Sequence, residues 1–162
     1  MKELYNKTYF LNCKRTQLSR KKRLPIFEEI MRLKPKRVLD VGCGLGTLVR
    51  MLREKGVEAY GVDFAQTLKD DFRMLEDYFV IADAKKLPFK DKYFDVVIST
   101  DFFEHLPEEE IDIVLTEMKR VGKVVIARVA YEAPLNLRQS KFHLTNKPKE
   151  WWQKKLKEVI LI

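Results

Sequence analysis

The chain is short of the residues that crosslink small domains or bind metals. Its 162 residues include only two cysteines and two histidines. Cys13 and Cys43 form no CxxC pair and have no histidine near them at metal-ligand spacing. These absences argue against a disulfide scaffold and a cysteine redox centre, and we predict no bound metal. With 46% hydrophobic and 35% charged residues, the chain can instead bury an ordinary globular core.

Long apolar runs and linkers are missing as well. No run approaches the roughly 18 residues that a membrane helix requires. The N-terminus is polar and aromatic, and it lacks the apolar stretch of a signal peptide. We therefore expect a cytoplasmic protein with no membrane partner. Because repeats, low-complexity tracts and Gly/Ser-rich linkers are absent, we also predict a single domain over residues 1–162.

Acidic residues are scarce at the two ends, where the net charge of +8 is concentrated. Residues 1–36 carry eleven Lys/Arg against three acids, and residues 138–157 carry seven against one. Such clusters can attract nucleic acid or another anionic partner. No aromatic-basic recognition pattern accompanies them, however, and a solvated lysine-rich surface is the simpler interpretation.

Strand and helix signals alternate along the rest of the chain. Strands are predicted at 37–41, 58–62, 78–82, 94–99 and 123–129, and a sixth begins at 159–162. Helices are predicted behind a first-turn Pro25 and at 47–55, 65–77, 107–121 and 147–157. Continuous apolar strands in repeated strand–helix units predict an α/β fold with a doubly wound, mostly parallel sheet. Ligands of such sheets bind at the carboxyl ends of the strands.

A glycine loop follows the first predicted strand. Gly42, Gly44 and Gly46 stand between that strand and a helix, where glycines allow a sharp turn and close approach to a ligand. Asp63 ends the second strand and can accept both hydroxyls of a ribose, and Asp83 ends the third. A nicotinamide dinucleotide site is disfavoured, because Thr47 stands where the Gly-x-Gly-x-x-Gly fingerprint requires its third glycine.

Four stretches in order carry a family resemblance: VLDVGCGLG at 38–46, GVDF at 61–64, DAKKLPF at 83–89 and FDVVISTDFFEHLP at 94–107. Together they resemble the class I S-adenosylmethionine-dependent methyltransferases, especially the broad branch that includes ubiquinone and menaquinone biosynthesis enzymes. The resemblance implies a Rossmann-like fold, S-adenosylmethionine as cofactor and a small-molecule acceptor. With it, the chain divides into an N-terminal helical and basic segment (1–24), a cofactor-binding core (25–130) and an acceptor-side segment with a C-terminal helix (131–162).

The resemblance also assigns roles to particular residues. The methionine part of the cofactor would lie on the glycines, with its amino group oriented by Asp40. Asp63 would hold the ribose, and Phe64 would pack against adenine. The remaining assignments place Asp83 and Ala84 at the adenine edge, and Thr100 and Phe103 near the methyl-donating sulfonium.

Acceptor-side assignments are less specific. His105 is the candidate catalytic base, because its side chain titrates near neutrality, but a structural role is the more common reading of Glu-His-Leu in this family. Asp101 and Glu104 are ambiguous in the same way, and a solvated loop carboxylate is the default reading of each. His143 could contact the acceptor, although a surface histidine is the simpler reading. Trp151 and Trp152 either stack on an acceptor ring or, more commonly at this spacing, belong to the core.

Family sheets normally have seven strands and finish with an antiparallel hairpin, whereas here a sixth strand has barely begun at 159–162. This predicts a shortened C-terminus without the final hairpin, with the sheet edge either exposed or covered in a homodimer. Two alternatives to a small-molecule methyltransferase stay open. One is an RNA- or protein-directed methyltransferase that uses the basic ends, and the other is a non-catalytic scaffold of the same fold. The intact glycine loop and Asp63 argue against the scaffold.

Overall fold

The computed structural model describes residues 20–64, 77–131 and 142–162. Its strands are β1 (Arg37–Val41), β2 (Glu58–Asp63), β3 (Phe79–Ile81), β4 (Phe94–Thr100), β5 (Gly122–Arg128) and β6 (Ile160–Leu161). Its helices are α1 (Arg20–Arg32), α2 (Thr47–Arg53), α3 (Glu108–Val121) and α4 (Lys149–Lys155), with a 3-10 turn at Phe103–His105. The helix predicted at 65–77 falls, except for its last residue, outside the described residues.

All six described strands form one parallel sheet in the order β3-β2-β1-β4-β5-β6. The chain moves outward from β1 to β3, then returns to the other side of β1 with β4. The gap between the carboxyl ends of β1 and β4 is therefore the switch point where sheets of this kind bind ligands. This confirms the predicted doubly wound, Rossmann-like sheet.

Apolar side chains fill both faces of the sheet, because successive residues of a strand point to opposite sides. In β1, Val38 joins one buried cluster and Leu39 the other, and Val96 and Val97 alternate in the same way in β4. Helices α1 and α2 contribute to the first cluster, and α3 and α4 to the second. The two-sided burial explains why these strands read as continuous apolar runs.

Helix α4 confirms the interpretation of Trp152 as a core residue. Its side chain is 1% exposed and belongs to the same buried cluster as α3. Trp151 is partly buried against that cluster and meets Trp152 edge to face, with ring centroids 4.9 Å apart. Both indoles thus serve to dock α4 on the sheet.

The prediction that Pro25 opens a helix is wrong. Helix α1 already includes Arg20 and continues through Pro25 to Arg32. Pro25 is exposed, whereas Ile26 and Ile30 face the core. The carbonyl that loses its hydrogen bond to proline can therefore be solvated by water, and this lowers the cost of an interior proline.

Strand β6 confirms the predicted sixth strand and pairs in parallel with β5, with Ile126 opposite Ile160 and Ala127 opposite Leu161. It lies at the edge of the described sheet, where Ile160 is 42% exposed. The homodimer inferred from such an edge stays a prediction. Among the described residues, no helix is both long and apolar enough to cross a lipid bilayer.

Candidate functional site

The glycine loop connects β1 to α2 at the switch point of the sheet. Gly42, Gly44 and Gly46 have φ angles of 72°, 51° and 69°, in the left-handed region that side chains disfavour. The amides of Gly42 and Cys43 donate to the Val62 carbonyl at 2.8 and 3.1 Å. These bonds anchor the loop to the end of β2, so the alternation of glycines follows from the backbone path itself.

Phe102 packs directly on this loop. A β-carbon added to Gly42 would lie 2.8 Å from the Phe102 Cγ atom and closer still to Cδ2. Real β-carbons essentially never approach other atoms so closely, so the ring occupies the space that a side chain at Gly42 would need. The sequence analysis assigned Gly42 to the cofactor and did not single out Phe102. The two adjacent phenylalanines of FFEH indicate that an aromatic ring lies near the site, but the sequence does not indicate which of the two rings contacts the loop.

Asp63 braces the loop from the neighbouring strand. Its Oδ2 atom accepts a hydrogen bond from the Gly44 amide at 3.0 Å. A carboxylate has about four lone-pair sites, so this bond is compatible with a further bond to a ribose hydroxyl. The structure thus brings together the glycines and the acid that the sequence analysis combined, and it adds a direct bond between them.

Cys43 fills the space beneath the loop. A β-carbon added to Gly61 of β2 would lie 2.8 Å from the Cys43 sulfur. Burial raises the pKa of the Cys43 thiol well above its usual value, and the nearby Asp63 and Asp40 charges add to this effect. The thiol is therefore protonated and unreactive at neutral pH, in line with a packing role.

Asp40 carries a buried carboxyl group and is the last residue but one of β1. Its side chain is 2% exposed, and its Oδ1 atom has no hydrogen-bond partner among the described residues. Burial raises the pKa of Asp40 to about 7, while the Arg23 charge opposes and the Asp63 charge reinforces the shift. An unsatisfied buried acceptor is costly, and a cationic hydrogen-bond donor would relieve that cost.

The predicted adenine-side residues gather at the carboxyl ends of β2 and β3. Phe64 follows Asp63 directly and is partly buried. Asp83 is exposed, and its Oδ1 atom accepts a hydrogen bond from the Lys85 amide at 3.0 Å, which forms a side-chain-closed turn. Ala84 packs against the core. The Ala82 amide donates to the Asp63 carbonyl at 3.1 Å, which joins the two strand ends.

The two residues predicted beside the sulfonium differ in exposure. Thr100 ends β4 and is 6% exposed, whereas Phe103 is fully buried in the core. Phe103 therefore presents no surface to a ligand in this structure, and its contact with the cofactor stays a prediction. Phe102 is the member of the pair that borders the glycine loop.

Asp101 connects three elements at the end of β4. Its φ of 53° is unusual for a residue with a side chain. Its carboxylate pairs with Arg23 of α1 at 3.3 Å and with Arg128 of β5. The sequence analysis treated Asp101 as a solvated loop acid and did not single out either arginine. The structure corrects this view, because Asp101 is 32% exposed and bridges two cations.

Glu104 was predicted to be a solvated loop carboxylate, and this is wrong. It is 2% exposed, and burial raises its pKa to about 7, with the Asp101 charge adding to the shift. Its Oε1 atom accepts a hydrogen bond from the Ala130 amide at 3.1 Å. Its Oε2 atom has no hydrogen-bond partner among the described residues. The 3-10 turn at Phe103–His105 directs this side chain inward, and no sequence signal indicated that turn.

His105 lies beside Glu104 and contacts the segment that precedes α4. Its Nδ1 atom is 2.7 Å from the Phe142 carbonyl, and its ring meets His143 edge to face at 4.9 Å. Burial lowers the pKa of His105 to about 4, although the bond to Phe142 opposes the shift. The ring is therefore neutral at physiological pH, with Nδ1–H donating to the carbonyl. These contacts fit the structural reading better than the role of a strong base.

Comparisons with known proteins agree with this geometry. The family described as "Methyltransferase domain" matches residues 39–124, more than half of the chain. The chain belongs to this family. The methyltransferase domain is also similar to demethylmenaquinone methyltransferase from Thermus thermophilus, with 38% identity over 57% of the chain and 46% of the relative. Norajmaline N-methyltransferase from Rauvolfia serpentina is 33% identical over 48% of the chain and 30% of its own length.

A solved structure supports the same fold. The methyltransferase domain matches a SAM-dependent methyltransferase from Archaeoglobus fulgidus with a TM-score of 0.70 and 24% identity, over 92% of this chain and 72% of that one. The chain spans about half or less of the length of the two curated relatives above. The methyltransferase family implies S-adenosylmethionine as the cofactor.

The residues present fit that cofactor. S-adenosylmethionine carries a cationic amino group, and Asp40 offers a buried oxygen that lacks a partner among the described residues. The glycine loop leaves its backbone open to close approach, since Gly44 and Gly46 adopt left-handed conformations without side chains. A single ligand, S-adenosylmethionine, would thus donate a hydrogen bond to the buried Asp40 carboxyl group and occupy the open space beside the glycine loop of the methyltransferase domain.

Proposed function

We propose that this domain transfers the methyl group of S-adenosylmethionine to a small-molecule acceptor. The observation that carries the proposal is the buried Oδ1 atom of Asp40, an acceptor without a partner among the described residues, two positions before Gly42 of the glycine loop. A protein that only needed the fold would gain stability by replacing such a group with an apolar one. Its presence at the switch point is consistent with a cationic ligand.

Each side of the loop has a proposed role in binding. Asp40 would accept the amino group of the cofactor, and the three glycines would line its methionine part. Asp63 would hold the ribose while still bonded to the Gly44 amide. The other proposed contacts are Phe64, Asp83 and Ala84 with adenine, and Thr100 and Phe103 near the sulfonium.

Methyl transfer demands alignment more than acid–base chemistry. The bound cofactor supplies a methyl group on a good leaving group, so holding donor and acceptor in line can contribute several kcal/mol, up to ~7–11. His105 accepts a proton poorly because burial lowers its pKa to about 4. We therefore assign His105 a positioning role through the Phe142 carbonyl and expect alignment to dominate the rate.

The class of acceptor follows from the relatives and from the charge distribution. The two relatives above are named for a menaquinone precursor and an alkaloid, both small molecules. The basic ends, in contrast, are partly neutralised within the chain itself. Five of their described members pair with acids: Arg20–Glu54, Arg23–Asp101, Arg32–Glu29, Lys147–Glu108 and Lys155–Asp112. This pairing weakens the case for nucleic acid.

Cofactor binding is the direct test of the proposal. We expect calorimetry to show saturable binding of S-adenosylhomocysteine and S-adenosylmethionine, and none of NAD, because the third glycine is one residue early for a dinucleotide. Binding of NAD without binding of S-adenosylhomocysteine would overturn the proposal. A screen of pooled small-molecule acceptors and of total RNA, followed by mass spectrometry of the methylated product, then distinguishes the acceptor classes.

Asp63→Ala is expected to weaken cofactor binding by roughly 1.5–3 kcal/mol, the scale of hydrogen bonds lost to a charged group. Asp63→Asn is the matched control, because its amide oxygen can still accept from the Gly44 amide while the negative charge is gone. We expect it to bind S-adenosylhomocysteine with intermediate affinity. Wild-type affinity in a correctly folded Asp63→Ala variant would show that this residue does not hold the ribose.

A further inference from the structure

Three potential metal ligands meet below the end of β4. Within residues 20–64, 77–131 and 142–162, a carboxylate oxygen of Glu104 and a ring nitrogen each of His105 and His143 all lie within 4.8 Å of one another. Glu104 and His105 come from the 3-10 turn, and His143 comes from the segment before α4. The two histidines of the sequence, far apart along the chain, thus lie side by side.

The surroundings of these three residues resemble the support that metal sites require. Metal-binding histidines usually donate their second ring N–H to a carbonyl or carboxylate, which fixes the ring and its tautomer. His105 has such a contact, since its Nδ1 atom lies 2.7 Å from the Phe142 carbonyl. When Nδ1 carries the proton and donates it to the carbonyl, the lone pair of the neutral ring is on Nε2, and this tautomer can bind a metal ion through Nε2.

The segment that carries His143 is held firmly against the turn. Thr145 is 3% exposed, its amide donates to the Glu104 carbonyl at 3.1 Å, and its hydroxyl donates to the Leu106 carbonyl at 2.7 Å. His143 is therefore only two residues from Thr145, whose position these hydrogen bonds fix. The rigidity of a site depends on such contacts around its ligands.

Glu104 provides the independent observation. It is 2% exposed, and one of its oxygens accepts from the Ala130 amide, whereas Oε2 has no hydrogen-bond partner among the described residues. A buried carboxylate oxygen left in this way is costly unless something else binds it. Arg128 is the nearby cation: one of its nitrogens pairs with Asp101, and its Nε atom makes no hydrogen bond to Glu104 or to another described residue. A metal ion would satisfy the remaining oxygen.

We propose that Glu104, His105 and His143 form a binding site for a divalent transition-metal ion, with Zn²⁺ as the best match to the ligand set. Two imidazoles and a carboxylate are one of the sets that catalytic zinc uses, with a fourth position open. Tetrahedral bonds of about 2.0–2.1 Å separate ligand atoms by about 3.3 Å. The three groups must therefore close by about 1.5 Å at most, a change within reach of side-chain rotation. The prediction of no bound metal and this proposal are alternatives that the titration below distinguishes.

The open fourth position gives the site a place in methyl transfer, a role that rests on the proposed function. An oxygen bound to zinc has a lowered pKa, so a hydroxyl acceptor there would release its proton to water. Its oxygen would then form the bond to the methyl carbon as the bond from that carbon to the sulfonium sulfur breaks. The metal site does not depend on this role and is tested without it.

Calorimetric titration of the cofactor-free protein with Zn²⁺, after treatment with a chelator, is the test. We expect one equivalent to bind, and Glu104→Gln and His143→Gln to weaken binding by at least about 100-fold. His143 is only partly buried, so His143→Gln is the variant with the least effect on folding. Replacement of Zn²⁺ by Co²⁺ should give the visible absorption of a four-coordinate site in the wild type but not in His143→Gln.

Two controls decide where a bound ion sits. Cys43→Ser removes the one described thiol, and Asp112→Asn removes an exposed acid on α3. Both should bind Zn²⁺ like the wild type. Absence of saturable binding, or binding that Cys43→Ser abolishes and His143→Gln leaves unchanged, would overturn the proposal. Titration with S-adenosylhomocysteine is run separately, so a failure of the metal site and a failure of the proposed methyltransferase function give different results.

Discussion

Gly42→Ala is expected to lower the free energy of unfolding by about 2–5 kcal/mol. The φ of 72° is left-handed, which costs a residue with a β-carbon about 1–2 kcal/mol. The added methyl would also collide with the Phe102 ring, 2.8 Å from Cγ, and such overpacking typically costs about 1–3 kcal/mol. Chemical denaturation monitored by circular dichroism measures the sum.

Gly56→Ala separates the two causes. Gly56 has a similar φ of 80°, but an added β-carbon would meet nothing within 4 Å. It should therefore cost about 1–2 kcal/mol, the backbone part alone. If the ring is responsible for the excess at Gly42, Phe102→Ala combined with Gly42→Ala should show a coupling energy of about 1–3 kcal/mol. Equal losses for the two alanine variants would contradict the close packing of Phe102 on the loop.

The second large effect concerns Asp40 and pH. Its pKa is about 7 in the folded protein, against 3.8 for an ordinary aspartate. Between these values the folded protein keeps a proton that the unfolded chain releases, so the stabilising effect is full below pH 4 and is lost as the pH rises toward 7. A gap of about three pH units corresponds to about 2–4 kcal/mol in the free energy of unfolding.

Asp40→Asn should lack this part of the pH dependence, because an amide does not ionise. The buried Glu104 has a pKa of about 7 for the same reason, so Glu104→Gln serves as the matched variant. Burial lowers the pKa of His105 to about 4, and this makes an opposite contribution that is gained as the pH rises from about 4 to about 6.5. The double variant keeps His105, so it should gain stability relative to the wild type between pH 4.5 and pH 8. Denaturation at pH 4.5 and pH 8 is the measurement. The same pH dependence in the wild type and in the double variant would show that neither acid is buried in solution.

Cofactor binding should depend on the same ionisation. The amino group of S-adenosylhomocysteine is cationic, so it favours ionised Asp40. Below pH 7, affinity should therefore fall by up to about tenfold per pH unit in the wild type. Asp40→Asn should bind more weakly and with little pH dependence. Affinity of the wild type that is the same at pH 5.5 and pH 8 would mean that Asp40 does not meet the amino group.

The strands were predictable from the sequence because both faces of this sheet are covered. Short stretches that are mostly apolar, such as Arg37–Val41, then indicate buried strands, and β1 has these bounds. Pro25 misled the prediction because a proline in a first turn and a proline on the exposed face of a helix look alike in sequence. What decides between them is the direction of the freed carbonyl, which only the folded helix shows.

The site was predictable only where one motif carried it. The glycine loop and Asp63 belong to short motifs, and the structure joins them through the Gly44 amide. The bridge from Asp101 to Arg23 and Arg128, and the meeting of His105 with His143, each join elements far apart in the chain. Periodicity and local spacing contain no information on such contacts. The inward direction of the Glu104 side chain likewise depends on the folded chain and has no local signal in the sequence.

The strand order also has a consequence for how the chain folds. β1 lies inside the sheet, but Val38 pairs on one side with Ala59 and on the other with Val96. Because β4 follows β1 by more than fifty residues in the sequence, β1 leaves the ribosome long before β4 is synthesised. The edge of β1 that later pairs with β4 has no hydrogen-bonding strand in the interval. Such distant pairings slow folding and expose apolar edges to aggregation. The cleft between β1 and β4 forms only when these two strands have paired. We therefore expect a nascent chain to bind the cofactor only after β4 has joined the sheet.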